Sequence, residues 1–334
     1  KSQSLPAPTD NHDPNITNPN TTLNILSASY MDFNSEKGNT NNGLMQIITR
    51  NYWGGGTMEI VNGSLTNNQG GILNVLVQGS LSSASSPITL AFHLVNNGEV
   101  LVDHESILSK GSVVHENSGV FTLENHTLTI NQTGTSFINH PTGSIYGIGT
   151  MTFTDASFSN SGAINPGLSP GLLTINGDIT QDPGSVMNIE LGGLTAGSLY
   201  DKLNVGGAYE IDGQLNVELI DGFDPTPGDV FDIAEFYSAT GDFVDINVPY
   251  PGTGVIFNVE QTATNINVTA VAHSNNPPFV EDAIADILLA EDFDLTQVAD
   301  LDTIFNDPDR PLGDELEYSF NLLDNIIAAS ITDN

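Results

Sequence analysis

Leu94-Val95-Asn96-Asn97-Gly98, His115-Glu116-Asn117-Ser118-Gly119, Phe137-Ile138-Asn139 with Gly143 beyond it, and Phe158-Ser159-Asn160-Ser161-Gly162 are four versions of one short text. Their Asn residues recur at steps of 21, 22 and 21. Two positions before each Asn stands a bulky residue (Leu94, His115, Phe137, Phe158), as expected of a side chain entering a shared core just ahead of a turn. A period near 21 built of short alternating runs and tight turns predicts a β-solenoid with one coil per repeat. No coil can bury its inner face alone, so stacking has to supply the core. Asn at one corner of successive coils predicts a side-chain amide ladder, and the Gly that follows predicts a positive φ. Asn42-Gly43, and Asn68 before Gly70, extend the pattern toward the N-terminus at wider spacing, which predicts insertions in the first turns. A leucine-rich repeat would need a helical half, and this stretch has none; a β-sandwich is the competing all-β arrangement.

Working outward, residues 1–22 hold Pro6, Pro8, Pro14 and Pro19 and little to bury. They are expected to form an extended arm or linker, able to dock on a neighbouring copy as an added strand. The solenoid is expected over 23–191. The turn Asn165-Pro166-Gly167-Leu168-Ser169-Pro170-Gly171 punctuates it, and strand-like runs continue at 172–180, 186–191, 203–205, 214–220 and 230–236. Stretches 255–259 and 266–271 read as a closing hairpin. Residues 192–272 are therefore expected to be the β-rich end or cap of the solenoid. Asn275-Asn276-Pro277-Pro278 signals a linker, so 273–334 is set apart.

Charge narrows the roles. The chain of 334 residues carries 41 Asp or Glu against 6 Lys or Arg, a formal charge of −35. Nothing here can neutralise phosphates, which excludes a nucleic-acid partner, and there is no basic cluster for anionic lipid. The longest apolar runs are far too short to cross a bilayer, so no membrane insertion is expected. The chain has no cysteine, which excludes a disulfide scaffold, Cys-based zinc sites and thiol catalysis. Lys1 stands first, without the plan of a signal peptide, as expected of a processed or excised segment. Such acidity keeps a protein hydrated and suits salty or calcium-rich surroundings, so a secreted or cell-surface location is expected.

Across roughly residues 90–270 the chain resembles secreted bacterial β-solenoids of the autotransporter-passenger type. The resemblance lies in the Asn-Pro-Gly-Leu-Ser-Pro-Gly turn, in Leu173-Thr174-Ile175-Asn176-Gly177-Asp178, in Tyr200-Asp201-Lys202-Leu203 and in Gly222-Phe223. These are structural motifs and imply location and shape. From Asn276 onward the chain resembles the start of a bacterial cadherin-like, immunoglobulin-type domain. That likeness rests on Asn276-Pro277-Pro278, Glu291-Asp292-Phe293, Asp300-Leu301, Phe305-Asn306-Asp307-Pro308-Asp309 and Leu316 with Tyr318. Residues 276–334 fall short of the ~100 that such a sandwich needs, so they are expected to be its first part. Arg310-Pro311-Leu312 stands where family members usually place Gly or Asp.

Calcium is the expected cofactor, because it takes several oxygen ligands from carboxylates clustered on a turn. Asp307, Asp309 and Asp314 offer that cluster, and the cadherin-like resemblance adds Glu291. Asp221, Asp224 and Asp229 read as a solvated turn. His93, His104, His115 and His126 are spaced eleven apart, so a coil of 22 would place His93 under His115 and His104 under His126. Stacked imidazoles could hold a transition metal or repel one another when protonated. Gly167-Leu168-Ser169-Pro170-Gly171 mimics a nucleophile elbow, but Pro170 has no N–H for an oxyanion hole. Only Lys110 and Lys202 lie between Arg50 and Arg310, which is poor equipment for a lyase. The expectation is therefore a non-enzymatic structural or adhesive protein, self-assembling into a filament, sheath or matrix or displayed as an adhesin. Its partners are other copies of itself or surface glycans and proteins. A secreted β-helix lyase or glycosidase is the alternative, and it would need two converging carboxylates or a basic site.

Overall fold

The computed structural model describes residues 15–17, 22–27, 31–33, 39–49, 57–77, 87–250, 254–274, 278–281, 300–307 and 318. The chain divides into two compact units, one of residues 1–223, 230–248 and 259–269, the other of 224–229, 249–258 and 270–334.

The first unit is a parallel β-solenoid with three strands per coil. One coil is Val114–Asn117, Val120–Leu123 and Thr127–Ile130. The next is Thr135–Asn139, Ser144–Gly147 and Thr150–Phe153, and each strand pairs in parallel with its counterpart one coil on. Three faces result. The first face ends at the Asn corner. The second is a ten-stranded parallel sheet running from Thr22–Ser27 to Asp245–Asn247. The third leads back to the first, and Ile88–Asn96, Lys202–Ile211 and Val230–Gly241 each turn the corner between them as one strand. Asn15–Thr17 pairs with Asn39–Asn41, so part of the stretch expected as an arm already belongs to a sheet. Residues 1–14 lie outside the described residues.

Alternation explains why these residues form these strands. In Ile88–Asn96 every second side chain is buried. Register then stacks the inward positions into columns. On the first face Leu65, Leu94, His115, Phe137, Phe158, Ile179 and Tyr209 follow one another and all are buried. On the second face the column is Met45, Leu73, Val100, Phe121, Ile145, Ile164, Met187 and Leu215. Aromatic rings join the faces across the interior: Phe121 meets Phe137 edge-on at 5.5 Å, and Phe153 stacks on Phe158 at 5.2 Å. The bulky residue before each Asn thus does enter the core.

The ladder beside that column runs through six fully buried Asn side chains. Asn41 Nδ2 donates to Asn67 Oδ1 at 2.7 Å, Asn67 to Asn96 at 2.8 Å, and Asn96 to Asn117, Asn117 to Asn139 and Asn139 to Asn160 at 2.7 Å each. The remaining capacity is used locally: Asn96 Oδ1 accepts from the N–H of Gly98, and Asn96 Nδ2 donates also to the Val120 carbonyl. At the C-terminal end Gln181 takes the ladder position, donating to Ser185 Oγ and accepting from the Tyr209 hydroxyl.

Two expectations need correction. The first rungs are Asn41 and Asn67, one position before Asn42 and Asn68, because only that parity points inward; Asn68 and Asn42 bond to each other separately. The Gly residues at the corner are not in a left-handed conformation: none of Gly98, Gly119, Gly143 and Gly162 has a positive φ. They are required by close approach: a Cβ on Gly119 would stand 2.1 Å from the Gly98 carbonyl oxygen, and one on Gly162 2.2 Å from that of Gly143. Beyond residue 191 the parallel stack runs on through Lys202–Ile211, Gln214–Leu219, Val230–Gly241 and Asp245–Asn247. It closes on the third face, where Asn265–Ala272 pairs antiparallel with Val230–Gly241, Val230 opposite Thr269. Val255–Gln261 and Asn265–Ala272 are joined by a turn in which Thr262 N donates to the Asn265 carbonyl.

In the second unit Phe279–Val280 pairs antiparallel with Phe305–Asn306, preceded by the single-turn helix Leu301–Ile304. Phe305 and Tyr318 rings lie 5.9 Å apart.

Replacing Asn117 by Ala removes one buried rung, leaving Asn139 Oδ1 and Asn96 Nδ2 each short of a partner. The expected cost is about 2–4 kcal/mol in chemical denaturation. A loss below about 0.5 kcal/mol would mean that the ladder does not hold the coils.

Candidate functional site

The charged side chains that the coils bring together gather first around Glu116, which points outward from the first face. Its Oε2 lies 3.1 Å from His140 Nε2 and its Oε1 3.9 Å from His93 Nε2, so one carboxylate bridges imidazoles from the coils before and after its own. Asp103 Oδ1 lies 3.4 Å from His126 Nδ1, whose nearer contact is the Glu124 carbonyl oxygen at 2.6 Å. Glu105 accepts from the backbone N–H of Thr127. The two histidines at Glu116 address different oxygens and do not converge on one point. Among the described residues, no group of three or more His, Asp or Glu side chains could hold a metal ion.

For His93 and His115 the expected stacking is replaced by an offset, whereas His104 and His126 follow the 22-residue step of the neighbouring strands. The first face advances 21 residues from Asn96 to Asn117, so His115 falls opposite Leu94, and the Leu94 N–H donates to His115 Nδ1 at 3.1 Å. His93 faces out while His115 faces in, their rings 6.2 Å apart and inclined by 61°. His104 is buried and His126 half-buried, with ring centres 6.0 Å apart. Burial, reinforced by the nearby His93, pulls His115 down to about 4.

A second polar centre surrounds Asp201, which is buried. Its Oδ1 accepts from the Gly171 N–H at 2.7 Å and its Oδ2 from the Glu190 N–H at 2.9 Å. The carboxylate thereby ties the Pro-Gly-rich turn at 165–171 to the strand Val186–Leu191. Burial pushes Asp201 up to about 7, against the two backbone donors. Beside it, Lys202 Nζ contacts Asp232 Oδ2 at 2.6 Å and Glu235 Oε2 at 3.0 Å. One of the chain's few cations is thus committed to holding two strands, not to a substrate.

Of the expected calcium ligands, Asp307 is described and is buried, 3% exposed, directly after Phe305–Asn306. Glu291, Asp309 and Asp314 lie outside the described residues. In the other acidic stretch, Asp229 Oδ2 accepts from the Thr226 N–H at 2.7 Å, a turn-closing role. An open groove between the 183–186 turn and residues 213–214 and 244–245 is lined by Pro183, Gly184, Ser185, Gln214, Val244 and Asp245, among others. Asp245 is its one ionisable lining group.

Sequence reading missed a second amide ladder on the outside of the second face. Asn188 Nδ2 donates to Asn165 Oδ1 at 2.7 Å, Asn216 to Asn188 at 2.9 Å, and Asn247 to Asn216 at 3.0 Å. Its steps of 23, 28 and 31 follow no fixed period, because loops of different length enter each coil.

The geometry defines a class: a parallel three-faced β-solenoid with buried and exposed amide ladders. No family model matches the chain. Over 118 residues it is 35% identical to a protein named Adhesin BmaC autotransporter, from Brucella suis biovar 1 (strain 1330); the match covers 34% of this chain. The matched part is 3% of that protein's length.

Histidine chemistry gives this subsection its prediction. A His held neutral to about 4 destabilises the fold as pH falls below the unfolded value near 6.5, because the unfolded chain then binds a proton that the folded one does not. The loss accumulates from 6.5 down to about 4 and amounts to roughly 3 kcal/mol. His115→Phe, which continues the Phe137 and Phe158 column, is expected to flatten this part of the stability-versus-pH curve in urea titrations. An unchanged slope between wild type and variant would show that His115 is not the titrating group.

Proposed function

We propose that this chain is a segment of a secreted or cell-surface adhesive or structural protein, working as a rigid scaffold that presents rows of polar side chains. The observation that carries the reading is the stack itself: inward positions are mostly apolar or laddered amides, so the fold is held from within and most outward positions are left for presentation. The similarity to a protein named as an autotransporter adhesin supports the same reading. Affinity for surface glycans or proteins would come from repetition, since weak contacts presented in fixed register add as avidity. The test is saturable binding of the purified chain to a glycan array and to immobilised matrix proteins. Binding to some surface at micromolar concentration is expected. Absence of binding throughout, or release of new reducing ends from an added polysaccharide, would overturn the adhesive reading.

We propose further that residues 273–334 bind calcium through Asp307, Asp309, Asp314 and Glu291, in keeping with the cadherin-like resemblance. The spacing of Asp307, Asp309 and Asp314 along one short stretch supports this, because calcium takes several carboxylate oxygens from a turn. Calcium is expected to protect this segment from limited proteolysis, and Asp307→Asn to abolish the protection. Identical cleavage with calcium and with chelator would refute it.

A further inference from the structure

The second face ends differently from the third. On the third face the last parallel strand is covered by the antiparallel strand Asn265–Ala272. On the second face the sheet ends at Asp245–Asn247, which pairs with Gln214–Leu219 on one side and is the final strand of its sheet among the described residues. All three of its residues are exposed. The core column also runs out here: Leu215 is fully buried, and Ile246, next in register, is 43% exposed. Val244 beside it is 77% exposed. An open strand edge flanked by apolar side chains is a template for pairing, and native sheets commonly block such edges with Lys or Pro. Neither residue stands in Val244-Asp245-Ile246-Asn247.

The outer amide ladder ends at the same place, and it has a direction. Each Asn donates to the one before it, so Asn247 Nδ2 is engaged with Asn216 while its Oδ1 accepts from no donor among the described residues. A further coil supplying an amide at this position would complete the ladder.

This chain carries a strand of matching pattern at the opposite end of the same sheet. Thr22–Ser27 is its first strand among the described residues, and it pairs with Leu44–Thr49. Leu23 is in register with Met45, which belongs to the core column ending at Ile246. Asn24 is in register with Gln46, and Gln46 with Asn74, the column that further along becomes the Asn165–Asn247 ladder.

We infer that the Asp245–Asn247 edge receives the Thr22–Ser27 strand of a second copy in parallel register, Leu23 on Ile246 and Asn24 on Asn247. The contact continues the coil-to-coil interface already present within one chain. Asp245 then meets Thr22, so no like charges are opposed at the joint. A head-to-tail contact of this kind does not close on itself and propagates as a filament. The net charge of −35 opposes it, and added salt relieves that repulsion, because the screening length falls from about 30 Å at 0.01 M to about 8 Å at 0.15 M. This inference rests on the chain being a structural or adhesive segment and names its partner as itself.

Sedimentation velocity of the whole chain tests it. Wild type is expected to associate with rising concentration, more strongly at high salt than at low. Asn247→Lys and Asn24→Glu are each expected to sediment as monomers, and their equimolar mixture to regain association through the Lys–Glu pair at the joint. Thermal melts followed by circular dichroism establish that both variants are folded. A wild type that stays monomeric in all salt conditions would overturn the inference, as would variants that associate like wild type or a folded mixture that stays monomeric. Glycan-array binding by the same monomeric variants keeps the adhesive reading separate: its survival would confine the failure to the end-to-end contact.

Discussion

A buried carboxamide has to satisfy a carbonyl oxygen and an amino group at once, and the interior Asn ladder does this by making each coil the partner of the next. Within one turn Asn117 finds acceptors for part of its amino group, but its oxygen and remaining hydrogen are satisfied by Asn96 and Asn139. A single coil would bury an unsatisfied amide, at a cost of several kcal/mol by comparison with burial of amides in apolar surroundings. The ladder therefore penalises an isolated coil and favours a stacked one. It also fixes register, since a slip by one residue would turn every rung outward and every bulky neighbour with it.

That constraint explains which irregularities the fold accepts. The first coils advance by 26 and 29 residues between rungs and the later ones by 21 or 22, yet the rung-to-rung distance stays between 2.7 and 2.8 Å. Extra residues enter the turns and the loops between faces, where backbone bonds close them; the longer corner at His140 to Gly143 is sealed by the Gly143 N–H on the His140 carbonyl. Where the ladder stops, different chemistry takes over. Gln181 and Tyr209 extend the polar line for one coil, and Asp201 then clamps a turn to a strand through two backbone N–H groups. A carboxylate in that position is costly to bury, and its raised pKa records the cost.

How much of this was legible depended on whether coil length was constant. From Asn96 to Asn160 it was, so the solenoid, the rung residues and the inward position two before each rung could be read from spacing. The choice between Asn41 and Asn42 could not, because adjacent Asn residues both fit an Asn-to-Gly spacing and only burial distinguishes them. The corner glycines were found for the wrong reason: spacing reveals that Gly is needed but not that the preceding coil's carbonyl, rather than a left-handed φ, demands it. The outer ladder from Asn165 to Asn247 was invisible because loops such as 192–199 and 221–229 break its period. The histidine spacing misled by one residue at His93 and His115, since eleven doubled is 22 and the first face advances by 21 at that point, while His104 and His126 lie where the step is 22.

Acidity and stacking pull in opposite directions, and the register shows how they coexist. Stacked strands place equivalent side chains about 4.8 Å apart, so acids repeated at one position would form a column of unscreened like charges. The chain instead puts neutral residues above and below most of them. Glu99 lies between Ile72 and Val120, and Glu116 between Val95 and Ile138. Separation by two coils brings like charges to about 10 Å, comparable to the screening length at 0.1 M salt. Asp32 opposite Glu59 and Glu190 opposite Glu218 are exceptions, the latter beside the Asp201 clamp. Dispersing charge in this way lets the exterior stay strongly hydrated while the interior remains apolar and laddered.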